Sequence, residues 1–463
     1  MVMLDQTVVA IALDPVARSL GFTTFLMHAV VLVYSLSLAA FAPVGAMTSR
    51  RFGLLRTFRC GTVVFVVASA LCGLAPGGDV AGPYLLTARA VQGMGAALML
   101  PVATTLIADA YEERERGRAL AAYAGLAQIF FVMGPVVGAA LIVFFGWRSV
   151  FLVNVPVGAL TLWAIGRARV RDEAEGGTLT AGQPLAVILS LGLLVWGLYR
   201  CGVWGVTDPR TLTALVTGAL TLALTVRLVL RSPRPLVDLR LLLIRPYAVE
   251  VAITFMVQAA QLIVIVHGTL FLRQAMDLSL PATGASLIPL VASLTTGTLL
   301  SGYLLDRFRS IRVPALLGLT AATLGAVAWT AALPSREYPW LIPGMVLAGL
   351  GMGLPVPALS AEMMRAVPAD ERADASVLRQ TLRQLGGAIG LASAGAVVLA
   401  VDSATADASG IVSAGATSGA FVVASCALGI ALLLAAVALP KGRRVAAPRP
   451  ASRRYGPGAP PHG

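Results

Sequence analysis

The chain has 463 residues, of which 57% are hydrophobic and 12% charged, about half the charged share of an average soluble domain. A soluble fold of that makeup would expose large apolar patches and associate through them. The apolar residues instead come in long blocks near the ~20 that cross a bilayer core, so an all-α polytopic membrane protein embedded in lipid is expected. The net charge of +13 does not mark a nucleic-acid binder, because the arginines fall between apolar blocks and not on one soluble face. Cys60, Cys72, Cys201 and Cys426 form no C-x-x-C pair, and the three histidines lack ligand spacing. No metal, cofactor or disulfide framework is therefore expected.

The chain opens with MVMLDQTVVAIALDP, an apolar run over 1–13 that carries a carboxylate at Asp5. At ~1.5 Å per residue such a run reaches only about 20 Å, short of a ~30 Å hydrocarbon core. It is read as the back portion of a truncated first helix. Further apolar blocks follow at 23–46, 57–75, 83–107, 118–141, 148–166, 183–203, 210–230, 246–271, 281–304, 313–333, 338–361, 377–400 and 414–438, making fourteen segments with the first. The tail KGRRVAAPRPASRRYGPGAPPHG has six basic residues, no acid and five prolines, a composition that cannot bury a core.

Arginine placement orients the segments. With both termini cytoplasmic, 28 of the 35 basic residues fall inside, six outside, and Arg89 within a segment. That pattern predicts a multi-pass protein of the cytoplasmic cell membrane. An internal repeat is also visible: GAMTSRRFGLLR (45–56) follows segment 2 and GYLLDRFRSIR (302–312) follows segment 10. Repeated halves with a site between them are a common transporter plan. The copies lie eight segments apart, which fits two six-helix bundles (1–166 and 241–438), an inserted helix pair with its connections (167–240), and a disordered tail (439–463).

Two stretches carry functional chemistry. RAVQGMGAA (89–97) sets Arg89 and Gln92 one turn apart on segment 4; an arginine at this depth is expected to face a partner or an aqueous cavity. GPVVGA (134–139) bends segment 5 at Pro135, while Gly134 and Gly138 make a flat face for a neighbouring helix. The chain contains no phosphate-binding loop and no carboxylate pair set beside a nucleophile, so neither ATP-driven transport by this chain alone nor enzymatic catalysis is expected.

Arg89-x-x-Gln92-Gly93-x-Gly95-Ala96, Glu115-Arg116-Gly117-Arg118-Ala119 and Gly134-Pro135-x-x-Gly138 resemble successive motifs of the major facilitator superfamily. GWRSVFLVNVPVG (146–158), the opening LDQTVVAIAL and RQLGGAIG (383–390) are similar to segments of its fourteen-helix drug:proton antiporter branch, the EmrB/QacA subfamily. The resemblance implies proton-coupled efflux of drugs or amphipathic small molecules, or dedicated export of one endogenous metabolite or antibiotic, by a protein acting as a monomer. It implies an antiporter role for Gly134, Pro135 and Gly138, and proton or substrate coupling for Asp5 and Arg89. Loop gating falls to Arg51 and Gly53 in one copy and Asp306 and Arg307 in the other. The chain departs from the family at Arg50, where an acid is expected, and at Arg309, where a glycine is. Ala10 and Asp14 replace an asparagine and a proline.

Burial raises a carboxylate's pKa and a nearby arginine lowers it, so Asp5 is the first candidate for the coupling acid, with Arg89 as an indirect neighbour. Glu250, Glu362 and Asp109 read as solvated helix-end charges. His28, Tyr34, Gln92, Gln128, Phe131, Gln258, Gln261 and His267 are candidates for the lining of a mostly apolar cavity.

Overall fold

The computed structural model describes residues 1–111, 113–167, 182–205, 207–231, 238–368, 371–405 and 414–439. The basic tail beyond 439 and parts of the connections around the inserted pair lie outside the described residues, as do the side chains of Asp109, Arg116, Arg118 and Gln128. Every regular element among the described residues is helical.

In chain order the helices are α1 (Val2–Leu20), α2 (Thr24–Phe52), α3 (Leu54–Gly73), α4 (Ala81–Ala110), α5 (Glu113–Phe145), α6 (Ser149–Leu152), α7 (Asn154–Gly166), α8 (Gly182–Trp204), α9 (Pro209–Arg231), α10 (Arg245–Leu270), α11 (Leu280–Ser286), α12 (Ile288–Phe308), α13 (Arg312–Ala332), α14 (Tyr338–Gly353), α15 (Pro355–Ala366), α16 (Arg372–Thr405) and α17 (Ala414–Ala438). Three segments read from the sequence as single spans are broken helices. They pause at Val153, Leu287 and Leu354, with Pro289 and Pro355 opening the second piece of the latter two, where proline's missing N–H is least costly. A π-helical turn, Phe271–Ala275, extends α10. Eleven spans among the described residues are long and apolar enough to cross a membrane. The remaining three expected segments are α1, α5 and α8, helices of 19, 33 and 23 residues.

The first segment differs from its expected bounds. α1 does not stop at residue 13; it continues through Asp14 and Pro15 to Leu20, where Gly21 caps it in the left-handed region at φ 68°. Asp14, which looks like a helix end in the sequence, is buried and paired inside the fold.

Packing follows the repeat. α2 and α3 both lie on α4, α1 lies on α5, and α3 lies on α7. In the second set α12 and α13 lie on α14, while α16 and α17 lie on α10. The sets meet where α2 runs along α16, where α5 touches α11 and α12, and where α1 touches α10. α8 and α9 pack on each other, and α8 covers α16 and α2.

Without a hydrophobic force between helices in lipid, small residues let backbones approach and gain dispersion contact. The α13–α14 seam is an example: a Cβ at Gly351 would stand 2.0 Å from the Ala322 nitrogen, and one at Gly325 2.2 Å from that of Ala348. Backbone cannot yield as a side-chain tip can. Gly351→Ala is therefore expected to lower the thermal midpoint of the detergent-purified protein through overpacking of about 1–3 kcal/mol. Gly192→Ala, where nothing lies within 4 Å, should leave the midpoint unchanged or raise it; equal midpoints for Gly351→Ala and the parent would contradict the seam.

Candidate functional site

Asp5 is 2% exposed and Arg89 1%. Both are carried into the interior by otherwise apolar helices, so each charge needs a partner there. They find each other: Arg89 Nη1 donates to Asp5 Oδ2 at 2.8 Å. The second carboxylate oxygen accepts from Gln92 Nε2 at 2.9 Å and from Asn154 Nδ2 at 3.3 Å. Ser69 Oγ closes the ring, accepting from Gln92 Nε2 at 3.0 Å and Asn154 Nδ2 at 2.9 Å while donating to the Phe151 carbonyl at 2.9 Å.

Arg89 has further partners besides Asp5. Nη1 also donates to Gln92 Oε1 at 2.6 Å and Nε to the Val30 carbonyl at 3.3 Å. Its guanidinium lies 4.2 Å from the centroid of the Tyr34 ring and 5.7 Å from that of Phe151, within the range of a cation–π attraction. Loss of charge at Asp5 therefore leaves the arginine with a carbonyl, an amide oxygen and two aromatic faces.

Helix α5, with Pro135 inside it, packs against the helix that carries Asp5. Pro135 has no N–H for the Phe131 carbonyl four residues earlier; Thr7 Oγ1, two residues from Asp5, donates to that carbonyl at 2.9 Å. Gly134 and Gly138 face α1: a Cβ at Gly134 would lie 1.8 Å from Thr7 Oγ1, and one at Gly138 3.1 Å from Val8 Cγ1. On its other side α5 meets Gly284 of α11, whose added Cβ would stand 2.9 Å from the Pro135 carbonyl oxygen.

At the end of the bundle where α1 runs into α2, two further contacts join the sets of helices. His28 of α2 and His267 of α10 are fully buried, with ring centroids 4.9 Å apart. Asp14 of α1 accepts from Arg273 Nη2 at 2.8 Å and from Gln274 Nε2 at 3.4 Å, with Arg18 at 3.2 Å as a second cation. At the opposite end Arg50 pairs with Asp374 in the first turn of α16. The cation standing where the family pattern has an acid thus meets a carboxylate supplied by the other helix set.

The structure brings together Asp5, Arg89, Gln92 and Tyr34, and separately His28 and His267. Phe131 and Gln261 are half-buried, and Gln258 is buried beside Gly387. Of the loop residues, Gly53 is buried at φ 95° between α2 and α3, Arg51 is half-buried, and Asp306 and Arg307 are exposed at the end of α12. Arg309 caps α12 at φ 48°, keeping the left-handed turn at about 1–2 kcal/mol relative to the glycine expected there. Sequence reasoning missed Ser69 and Asn154; the signal available was one amide in an apolar block, inside a stretch already noted as motif-like. It also placed Glu250 and Glu362 in solvent, whereas they are 0% and 4% exposed.

A charged network buried inside one set of helices, a second set packed against the first, and a proline-bearing helix at the contact define a polytopic helical membrane protein of transporter architecture. The Major Facilitator Superfamily profile matches residues 1–391, and the chain belongs to that family. It is similar to the "Multidrug resistance protein Stp" of Mycobacterium tuberculosis, at 32% identity over 88% of this chain and 75% of that protein. It is also similar to the "Methylenomycin A resistance protein" of Bacillus subtilis, at 28% identity over 86% and 85%. A crystal structure of a D-xylose-proton symporter has the same fold, with a TM-score of 0.66 at 14% identity over 95% of this chain and 94% of that one.

Removing Arg89 leaves a buried carboxylate uncompensated, a loss of about 3–5 kcal/mol. Asp5→Asn keeps one acceptor oxygen, which can stay with Arg89, and the arginine retains the Gln92 Oε1, the Val30 carbonyl and the Tyr34 and Phe151 faces. Arg89→Met is therefore expected to lower the thermal midpoint clearly more than Asp5→Asn; the reverse order would contradict the pairing.

Proposed function

We propose that this chain is a proton-coupled exporter of drugs or amphipathic small molecules, working by alternating access across the cytoplasmic cell membrane. The observation that carries the reading is the buried Asp5–Arg89 pair in a chain whose relatives are named for drug and antibiotic resistance. The unit is a monomer, and the arginine distribution argues for both termini being cytoplasmic. Its working parts are two six-helix bundles, 1–166 and 241–438, with α8 and α9 as an inserted pair.

In this cycle Asp5 takes a proton when the interface between bundles opens outward. The neutral acid releases Arg89 to the Val30 carbonyl and the Tyr34 face, so the switch leaves no orphaned cation. Opening inward returns the proton to the cytoplasm and lets substrate enter. One proton crossing ~100 mV supplies roughly 2.3 kcal/mol, enough for near fifty-fold accumulation.

With α1's far end outside, Asp14–Arg273 and His28–His267 close the outer mouth. Pro135 and the flanking glycines let α5 seat against α1 and α11 in that state. Arg50–Asp374 bridges the bundles on the inner side. A dedicated exporter of one endogenous product is the second reading, favoured by the likeness to a protein named for resistance to a single antibiotic; a panel of efflux substrates separates the two.

In proteoliposomes under an imposed pH gradient, Asp5→Asn is expected to abolish gradient-driven movement of ethidium or another panel substrate that the parent transports. Parental rates in the variant would remove Asp5 from the coupling step. Asp14→Asn or Arg273→Gln should increase labelling, from outside, of a single cysteine placed at Gln261. The exchanged pair Asp14→Arg with Arg273→Asp should return labelling toward that of the parent. Unchanged labelling in the single variants would deny the outer contact a gating role.

A further inference from the structure

Glu250 lies in the second turn of α10, at the end of the bundle with the arginine-rich connections, yet it is 0% exposed. Its Oε1 accepts from Arg379 Nε of α16 at 2.5 Å and from Thr254 Oγ1 at 3.0 Å. Its Oε2, equally buried, has no hydrogen-bond partner. A purely structural ion pair in an apolar setting needs both carboxylate oxygens satisfied, because a bare charged oxygen carries its full desolvation penalty. Here half of the carboxylate is bare, and the bare oxygen is where a proton would sit.

The surroundings deepen the imbalance. Glu362 of α15, 4% exposed, acts electrostatically on Glu250 and has an Oε2 without a hydrogen bond. Its nearest cation, Arg365, is 4.0 Å away and partly solvated. The other ionisable groups on the helices around Glu250 are Tyr247, which donates to the Ala375 carbonyl at 2.7 Å, and Arg383, one turn beyond Arg379. Arg240 precedes α10 and Arg245 starts it, while His267 lies more than four turns away on the same helix. Arg372 and Asp374 open α16, with Asp374 paired to Arg50. α17, also packed on α10, carries no Asp, Glu, Lys, Arg or His. α1 brings Asp14, held by Arg273 at the other end of α10. Glu250 thus has one close guanidinium and a second buried carboxylate acting against it.

Glu250 also has a polar route away from it. Residues 250, 254, 258 and 261 fall on one face of α10 at helical spacing, giving the order Glu, Thr, Gln, Gln from the inner end toward the middle of the helix. Thr254 and Gln258 are buried and Gln261 half-buried. At the inner end the Arg379 side chain is 15% exposed whereas that of Glu250 is 0% exposed, so the arginine forms the accessible side of the pair.

We propose that Glu250, held by Arg379, is a second proton-binding site, located in the second bundle and discharging to the inner aqueous phase. This rests on the proton-coupled reading above. In the step, a proton adds to a lone pair of Oε2 and forms an O–H bond. The carboxylate becomes a neutral acid, and the Arg379 contact becomes a bond to an uncharged acceptor. Release breaks the same O–H bond and passes the proton to water, with no electron transfer and no other reactant.

Infrared difference spectra of the full-length protein in lipid, recorded between acid and alkaline pH, read the C=O stretch of protonated carboxyls and need no transport substrate. Glu250→Gln is expected to remove one titrating C=O component that Asp5→Asn leaves in place. Glu250→Gln spectra that superimpose on the parent's overturn the proposal. Should Glu250→Gln not fold, Arg379→Gln decides: with the cation gone, the component should titrate about one pH unit or more higher, and an unmoved midpoint overturns it. A parent that shows the Glu250 component but drives no proton flux in vesicles supports the site while removing the export reading, so the two fail separately.

Discussion

A carboxylate among apolar helices must be matched in charge where it lies, and the first bundle is arranged around meeting that need at Asp5. Arg89 supplies the charge, Gln92 and Asn154 cover the second oxygen, and Ser69 ties the two amides together. These groups come from α1, α3, α4 and the start of α7, with α2 contributing the Val30 carbonyl and the Tyr34 ring. A displacement of α1, α2, α4 or α7 would strip a hydrogen bond from a charged group, where such a bond is worth about 1.5–3 kcal/mol. The network thus sets the mutual position of these helices more narrowly than apolar packing in lipid would.

The same constraint shapes α5. Its proline frees a carbonyl that lipid would leave unsatisfied, and Thr7 satisfies it from the helix that carries Asp5. Gly134 is a glycine because that threonine is there, since any side chain would occupy the position of Thr7 Oγ1, and Gly138 makes room in the same way for Val8. On its other side the Pro135 carbonyl lies against Gly284 across the interface. Within the proposed cycle, the helix that fixes the charged pair is then also the helix that meets the opposite bundle.

The two bundles solve the burial of charge differently. In the first, both oxygens of Asp5 are occupied. In the second, Glu250 has one oxygen held and one bare, at the inner end of a polar stripe along α10. The repeat is accordingly one of helix arrangement and loop form, seen at the turns after α2 and α12, and not of charge placement. Even the loops diverge: the first keeps its glycine at Gly53, and the second bends through Arg309 in the left-handed region.

Much of the architecture is legible in the amino-acid order because lipid makes each span nearly independent. An apolar block of the right length must form its own helix to satisfy its backbone, and arginines between blocks orient it. The burial of Arg89 and the carbonyl freed at Pro135 follow from the same local rules. Partnerships do not. Asp14 reads as the end of a helix and Glu250 as a solvated terminus, since each sits beside polar or basic residues in sequence. Only folding brings Arg273 to the one and Arg379 to the other, across 259 and 129 positions. Ser69 and Asn154 carry no periodic signature at all. The sequence by itself determined which stretches form long apolar helices and that Asp5 needed a cation. Tertiary structure decided which groups meet each buried charge, because that depends on which helix faces are pressed together, and in lipid those faces are chosen by small residues and polar pairs distant in the chain.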